Sequence, residues 1–141
     1  MPASASLFQY DPTNALVTVL HSFGTIPGEP RNPEGSPVVS GNTIYGLSRS
    51  GGAFPTFGTV FQFDLVSGTP TVLHSFQGGT ADGEEPLGSP VLVGSTLYGM
   101  TPFDGASGGG IIFSQDLPEP SSAFAMLSVG GVLILRRRAR G

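Results

Sequence analysis

The sequence predicts an all-β chain of tandem four-stranded repeats of ~53 residues, forming a partial β-propeller-like array, with one hydrophobic helix at the C-terminus. Three observations carry this. Four short motifs recur in the same order at one interval, 53 residues from His21 to His74. Each motif alternates apolar and polar side chains with the period of a half-buried strand. An apolar run closes the chain between a Pro-Glu-Pro triplet and a cluster of arginines.

The motifs come in chain order. FQYD at 8–11 returns as FQFD at 61–64, and TVLHSF at 18–23 returns unchanged at 71–76. GSPV at 35–38 returns at 88–91, and Thr43-Ile44-Tyr45-Gly46 returns as Thr96-Leu97-Tyr98-Gly99. A third copy starts at Ile111-Ile112-Phe113, where Phe113 and Asp116 answer Phe61 and Asp64 with one residue deleted. In 60–64, Phe61 and Phe63 face one way while Gln62 and Asp64 face the other. In 71–76, simple alternation puts Val72, His74 and Phe76 on one face. Turn material separates the strands at 64–70, 77–86, 94–95 and 104–110. Gly94-Ser95 between two apolar runs predicts a tight hairpin over Val91–Tyr98. One unit therefore holds about four short strands, the size of a propeller blade.

Residues 1–117 are assigned to the repeat region, two units and a partial third, and 118–141 to a separate tail. Propellers close with about 4–8 blades. The chain starts mid-unit and its first residues lack the charged and apolar regions of a signal peptide. The expectation is either an N-terminally truncated reading of a longer repeat protein or a marginal, self-associating fragment with open edges.

Composition narrows the function classes. Among 141 residues are 22 Gly and 13 Pro, interleaved with apolar residues, which suits short strands joined by many turns. There is no Cys, which excludes disulfides and thiolate chemistry. There is no Lys, and Arg31 and Arg49 alone oppose ten carboxylates before residue 120. That acidic body argues against nucleic acid as a partner. Arg136, Arg137, Arg138 and Arg140 follow the apolar run, as cytoplasmic flanks of a membrane span do.

Candidate chemistry is sparse. His21 and His74 recur at one repeat position, as do Tyr45 and Tyr98, which points to packing, since an active site needs one copy. Ser22 and Ser75 follow the histidines on the opposite strand face, a poor geometry for a nucleophile and its base. Asp82, Glu84 and Glu85 form the densest acidic cluster and are the candidate Ca²⁺ ligands, with a solvated acidic loop as the leading reading. No catalytic residue and no other cofactor are assigned.

These residues carry a resemblance. Gly58-Thr59-Val60-Phe61, Leu73-His74-Ser75-Phe76, Gly78 to Gly83 and Tyr98-Gly99-Met100-Thr101 resemble the GloVer repeat, a tandem β-repeat of bacterial surface proteins. The first copy departs from it at 24–32, where Gly-Gly-x-x-Asp-Gly is absent. Pro118-Glu119-Pro120, the run 121–135 and the terminal arginines resemble a PEP-CTERM sorting signal. That resemblance implies export, insertion of helix 121–135 in the inner membrane and recognition by an exosortase-like membrane enzyme. The destination it implies is the cell envelope or extracellular matrix of Gram-negative bacteria that make extracellular polysaccharide. A run of 15 residues reaches about 22 Å as helix, short of a bilayer core of about 30 Å. That shortfall suits a handled segment better than a permanent anchor. The leading function is thus a non-enzymatic, sorted surface protein. The alternatives are a glycan- or Ca²⁺-binding propeller module and a hydrolase whose catalytic residues lie on other repeats.

Overall fold

The computed structural model describes residues 5–118, which fold entirely as strands and turns, with no helix among them. No helix among the described residues is long and apolar enough to cross a membrane.

The strands follow the repeat. The first unit is a hairpin of β1 (Ser6–Asp11) and β2 (Leu16–Ser22). The second is a complete antiparallel meander of β3 (Pro30–Ser40), β4 (Thr43–Gly51), β5 (Thr59–Asp64) and β6 (Thr69–Ser75), in spatial order β3-β4-β5-β6. The third is a three-stranded sheet of β8 (Leu87–Val93), β9 (Thr96–Thr101) and β11 (Ile111–Asp116), in order β11-β9-β8. Two short strands, β7 (Gly83–Glu84) and β10 (Phe103–Asp104), pair beside it. GSPV thus lies on the first strand of a unit, TIYG on the second, FQFD on the third and TVLHSF on the fourth. The first unit shows strands three and four; the third shows strands one to three.

Turn chemistry sets the registers. Ser40 pairs with Thr43 and Val93 with Thr96, each across two residues led by a glycine with positive φ, Gly41 at 59° and Gly94 at 61°. A glycine first in the turn matches the tight hairpins whose twist suits antiparallel strands. The longer β1–β2 and β5–β6 loops are held by their leading aspartates. Asp11 Oδ1 accepts from the Thr13 amide at 2.9 Å, and Asp64 Oδ1 from the Val66 amide at 2.7 Å. Gly68 closes the second loop at φ 70°, and Ala15 holds the equivalent place in the first at φ 58°.

One prediction of simple alternation fails. Phe61 pairs with Val72 but Val60 pairs with His74, so Leu73 is an extra residue. This β-bulge turns Val72 and His74 to opposite faces. The same bulge recurs in the first unit, where Leu7 pairs with His21 and Phe8 with Val19.

Successive sheets pack face to face. Phe23 meets Phe61 edge-on at 5.2 Å between ring centroids, and Phe76 meets Phe113 edge-on at 5.1 Å. Around the second contact Tyr45, Leu47, Val60, Phe76 and Leu97 form one buried cluster. The first strands of neighbouring units also converge. Gly35 lies so near the Gly88 carbonyl that no Cβ fits, and the Ser36 amide donates to Ser89 Oγ at 2.8 Å.

Glycine makes the aromatic contacts feasible. Gly46 pairs with Phe61 and Gly99 with Phe113, and in each case the phenylalanine ring lies over the glycine. A Cβ on Gly46 would stand 2.7 Å from Phe61 Cζ. Gly46→Ala is expected to cost about 1–3 kcal/mol by overpacking, seen as a lower midpoint in thermal unfolding. Ala15→Gly should instead raise stability by about 1 kcal/mol by relieving a left-handed residue. An unchanged midpoint for both would count against these assignments.

Candidate functional site

The repeated HSF motif is where polar chemistry and packing meet. The bulges at Leu20 and Leu73 turn each histidine toward the following unit. His21 stacks edge-on with Phe23 at 4.9 Å and lies 5.7 Å from Phe63 of the next sheet. His74 stacks edge-on with Phe76 at 4.7 Å. Each ring also binds a carboxylate eight residues downstream. His21 Nε2 donates to Glu29 Oε1 at 2.7 Å, and His74 Nε2 donates to Asp82 Oδ2 at 3.1 Å. An ionised carboxylate only accepts, so Nε2 carries the proton in both pairs.

The carboxylates hold loops as well as rings. Glu29 Oε2 accepts from the amides of Thr25 at 3.0 Å and Ile26 at 3.3 Å. Asp82 Oδ2 accepts from the Gln77 amide at 3.1 Å, and Asp82 Oδ1 from the Gly83 amide at 3.0 Å. Glu29 is buried, 7% exposed. Burial pushes its carboxyl up, but the His21 bond and the two amides outweigh that and hold it below the usual carboxylate range. Glu29 and Asp82 occupy the same repeat position, so the first copy keeps the carboxylate where the glycine-rich signature is lost. Comparing side-chain chemistry rather than identity at that position would have found the pair in the sequence.

The acidic cluster does not converge. Asp82 is bound to His74, while Glu85 Oε2 accepts from Arg49 Nε at 2.7 Å, across the junction between the second and third units. Burial lifts the Glu84 carboxyl above its ordinary range, and the charges of Asp104 and Glu85 add to this. Among the described residues no three His, Asp or Glu side chains gather as metal ligands. The tyrosines diverge too: Tyr45 is buried at 7% exposure and Tyr98 lies open at 42%. Ser75 Oγ accepts from the Ala53 amide at 3.0 Å. Of the tail, Pro118 is the last described residue. Glu119, Pro120, the expected helix 121–135 and Arg136, Arg137, Arg138 and Arg140 lie outside the described residues.

Residues 3–128 match the model of the Gloeobacter/Verrucomicrobia repeat. The chain belongs to this repeat family. No curated protein and no solved structure matches it. In this Gloeobacter/Verrucomicrobia repeat protein the recurrent histidines are joints, each tying a strand to a loop, and His21 also reaches Phe63 of the adjoining sheet. The match passes through Pro118-Glu119-Pro120 and into the apolar run, so the family region and the expected tail overlap.

Glu29→Gln should destabilise the fold by about 1.5–3 kcal/mol, the worth of charged hydrogen bonds, and Asp82→Asn should act in the same direction. Because the Glu29 carboxyl titrates lower in the folded chain than unfolded, its contribution is full above the unfolded value. It is lost as pH falls through the folded value. The melting temperature of the parent chain should therefore fall as the pH drops through and below the ordinary carboxylate range, and Glu29→Gln should flatten that slope. An acid limb of equal steepness in both proteins would refute the assignment.

Proposed function

We propose that the chain is a non-enzymatic β-repeat protein of the bacterial cell surface, delivered and processed through its C-terminal tail. One observation carries the reading. Pro118-Glu119-Pro120, the apolar run to Leu135 and four arginines before residue 141 stand in that order in the sequence. A glutamate between two prolines is a sequence pattern that disfavours helix and suits an extended peptide, the form that an enzyme cleft reads. The arginines favour the cytoplasmic side, which places Glu119 outside and Arg136 inside. An exosortase-like membrane enzyme is then the first partner, and the inner membrane the first station.

The repeat region supports a structural role. Its two histidines and the carboxylates bound to them recur as pairs that hold loops. Its acids are spread along the repeats, two of them tied to histidines and one to Arg49. Cleavage near the Pro-Glu-Pro triplet would remove all four terminal arginines and leave a strongly acidic array. Such a body would repel other polyanions unless cations bridge them.

Two experiments test the proposal. Reporter fusions at residue 141 should be active only on the cytoplasmic side. Intact-mass measurement of the mature protein should show loss of the segment after Pro118-Glu119-Pro120, and Glu119→Ala should leave the full chain in the membrane fraction. An uncut parent chain at the surface, or an outward residue 141, would remove the support for tail-directed sorting.

A further inference from the structure

The second unit shows both sides of one kind of junction. Its Phe61 and Phe63 lie against Phe23 and His21 of the unit before it. Its Tyr45, Leu47 and Val60 are buried with Leu97 of the unit after it, and Phe113 packs on the same cluster. One sheet thus has a leading face and a trailing face of different composition.

Among the described residues, the end sheets carry the same two faces uncovered. Phe8 and Tyr10 stand where Phe61 and Phe63 stand, with Val19 and Val17 as their strand partners. Tyr10 is 56% exposed where Phe63 is 1% exposed. At the other end Tyr98, Met100 and Ile112 stand where Tyr45, Leu47 and Val60 stand, with Val91 beside Tyr98. Ile112 is 78% exposed where Val60 is wholly buried. None of these side chains is charged. Contiguous apolar patches of this kind mark interaction sites on soluble domains.

The patches complement each other rather than themselves. One has the make-up of the leading face and the other of the trailing face. We propose that a second copy of this chain docks head to tail, with Tyr98, Met100 and Ile112 of one copy on Phe8 and Tyr10 of the next. The occupant follows from continuity with the junction inside the chain. Phe8 on Tyr98, Met100 and Ile112 repeats the packing of Phe113 on Tyr45, Leu47 and Val60. Such a contact uses different surfaces on the two copies, so it closes into a ring or runs on as a filament. It differs from face-to-face pairing, in which one patch meets its own copy.

Sedimentation velocity of the full chain in dilute nonionic detergent, over a range of concentrations, reads this directly. The parent chain should form species of two or more copies. Tyr10→Asp spoils one face and Ile112→Asp the other, and each alone should weaken association by about tenfold or more. Both residues are exposed, and unchanged circular dichroism and melting would show that the variants fold; Tyr10→Asn and Ile112→Asn serve if they do not. Mixed in equal amounts, the two variants should form a dimer and nothing larger, because one intact junction remains between them. A mixture that stays monomeric overturns the proposal, as does a single variant that assembles like the parent. A parent chain that is monomeric throughout also overturns it and leaves a further repeat as the occupant of these faces. None of these outcomes depends on how the C-terminal tail is processed.

Discussion

The edge-on contact between phenylalanines of neighbouring sheets is the interaction on which the rest depends. Phe23 on Phe61 and Phe76 on Phe113 are the same contact one repeat apart. A two-stranded hairpin such as β1–β2 is at best marginally stable alone, and repeat units in general rely on their neighbours to bury their apolar faces. Stacking gives each apolar face a partner, and edge-to-face rings add about 0.5–1.5 kcal/mol beyond the area they bury. Glycine at positions 46 and 99 is the condition for it, because a methyl group there would occupy the ring's place.

Around that contact the polar groups act as braces. The bulge before each histidine turns its ring toward the next sheet. The carboxylate eight residues on then fixes the ring and draws the intervening loop against the strand end. Glu29 and Asp82 differ by one methylene and by the loop amides that they accept from. Their shared task tolerates that change, since a longer side chain reaches the same imidazole from a differently shaped loop. A catalytic carboxylate, held to a fraction of an ångström, tolerates much less.

Two of the acids that attract attention as chemistry make contacts within the protein. Asp82 braces a histidine and Glu85 binds Arg49 across a unit boundary. What remains open among the described residues is apolar: the leading face of the first sheet and the trailing face of the last. On the proposed reading the tail provides delivery and the repeats provide surface, with assembly between copies as the natural use of two complementary ends.

Much of the fold was legible in the sequence. The strands, the Gly-Ser hairpin and the order of motifs followed from alternation, glycine placement and the 53-residue interval, all local or periodic properties. The recurrence of His21 and His74 marked a shared position, and the structure gives both the same kind of carboxylate partner. Simple alternation wrongly put Val72 and His74 on one face, because a bulge adds one residue to a strand without altering its composition. The pairing of His21 with Glu29 was missed because the first loop lost the glycine signature around a carboxylate that it kept. Tyr45 and Tyr98 show the limit most plainly. By itself the sequence determined that both sit at the same point of the same strand. Only the tertiary structure decided that Tyr45 is buried and Tyr98 exposed, because burial belongs to the neighbouring sheet and not to the motif.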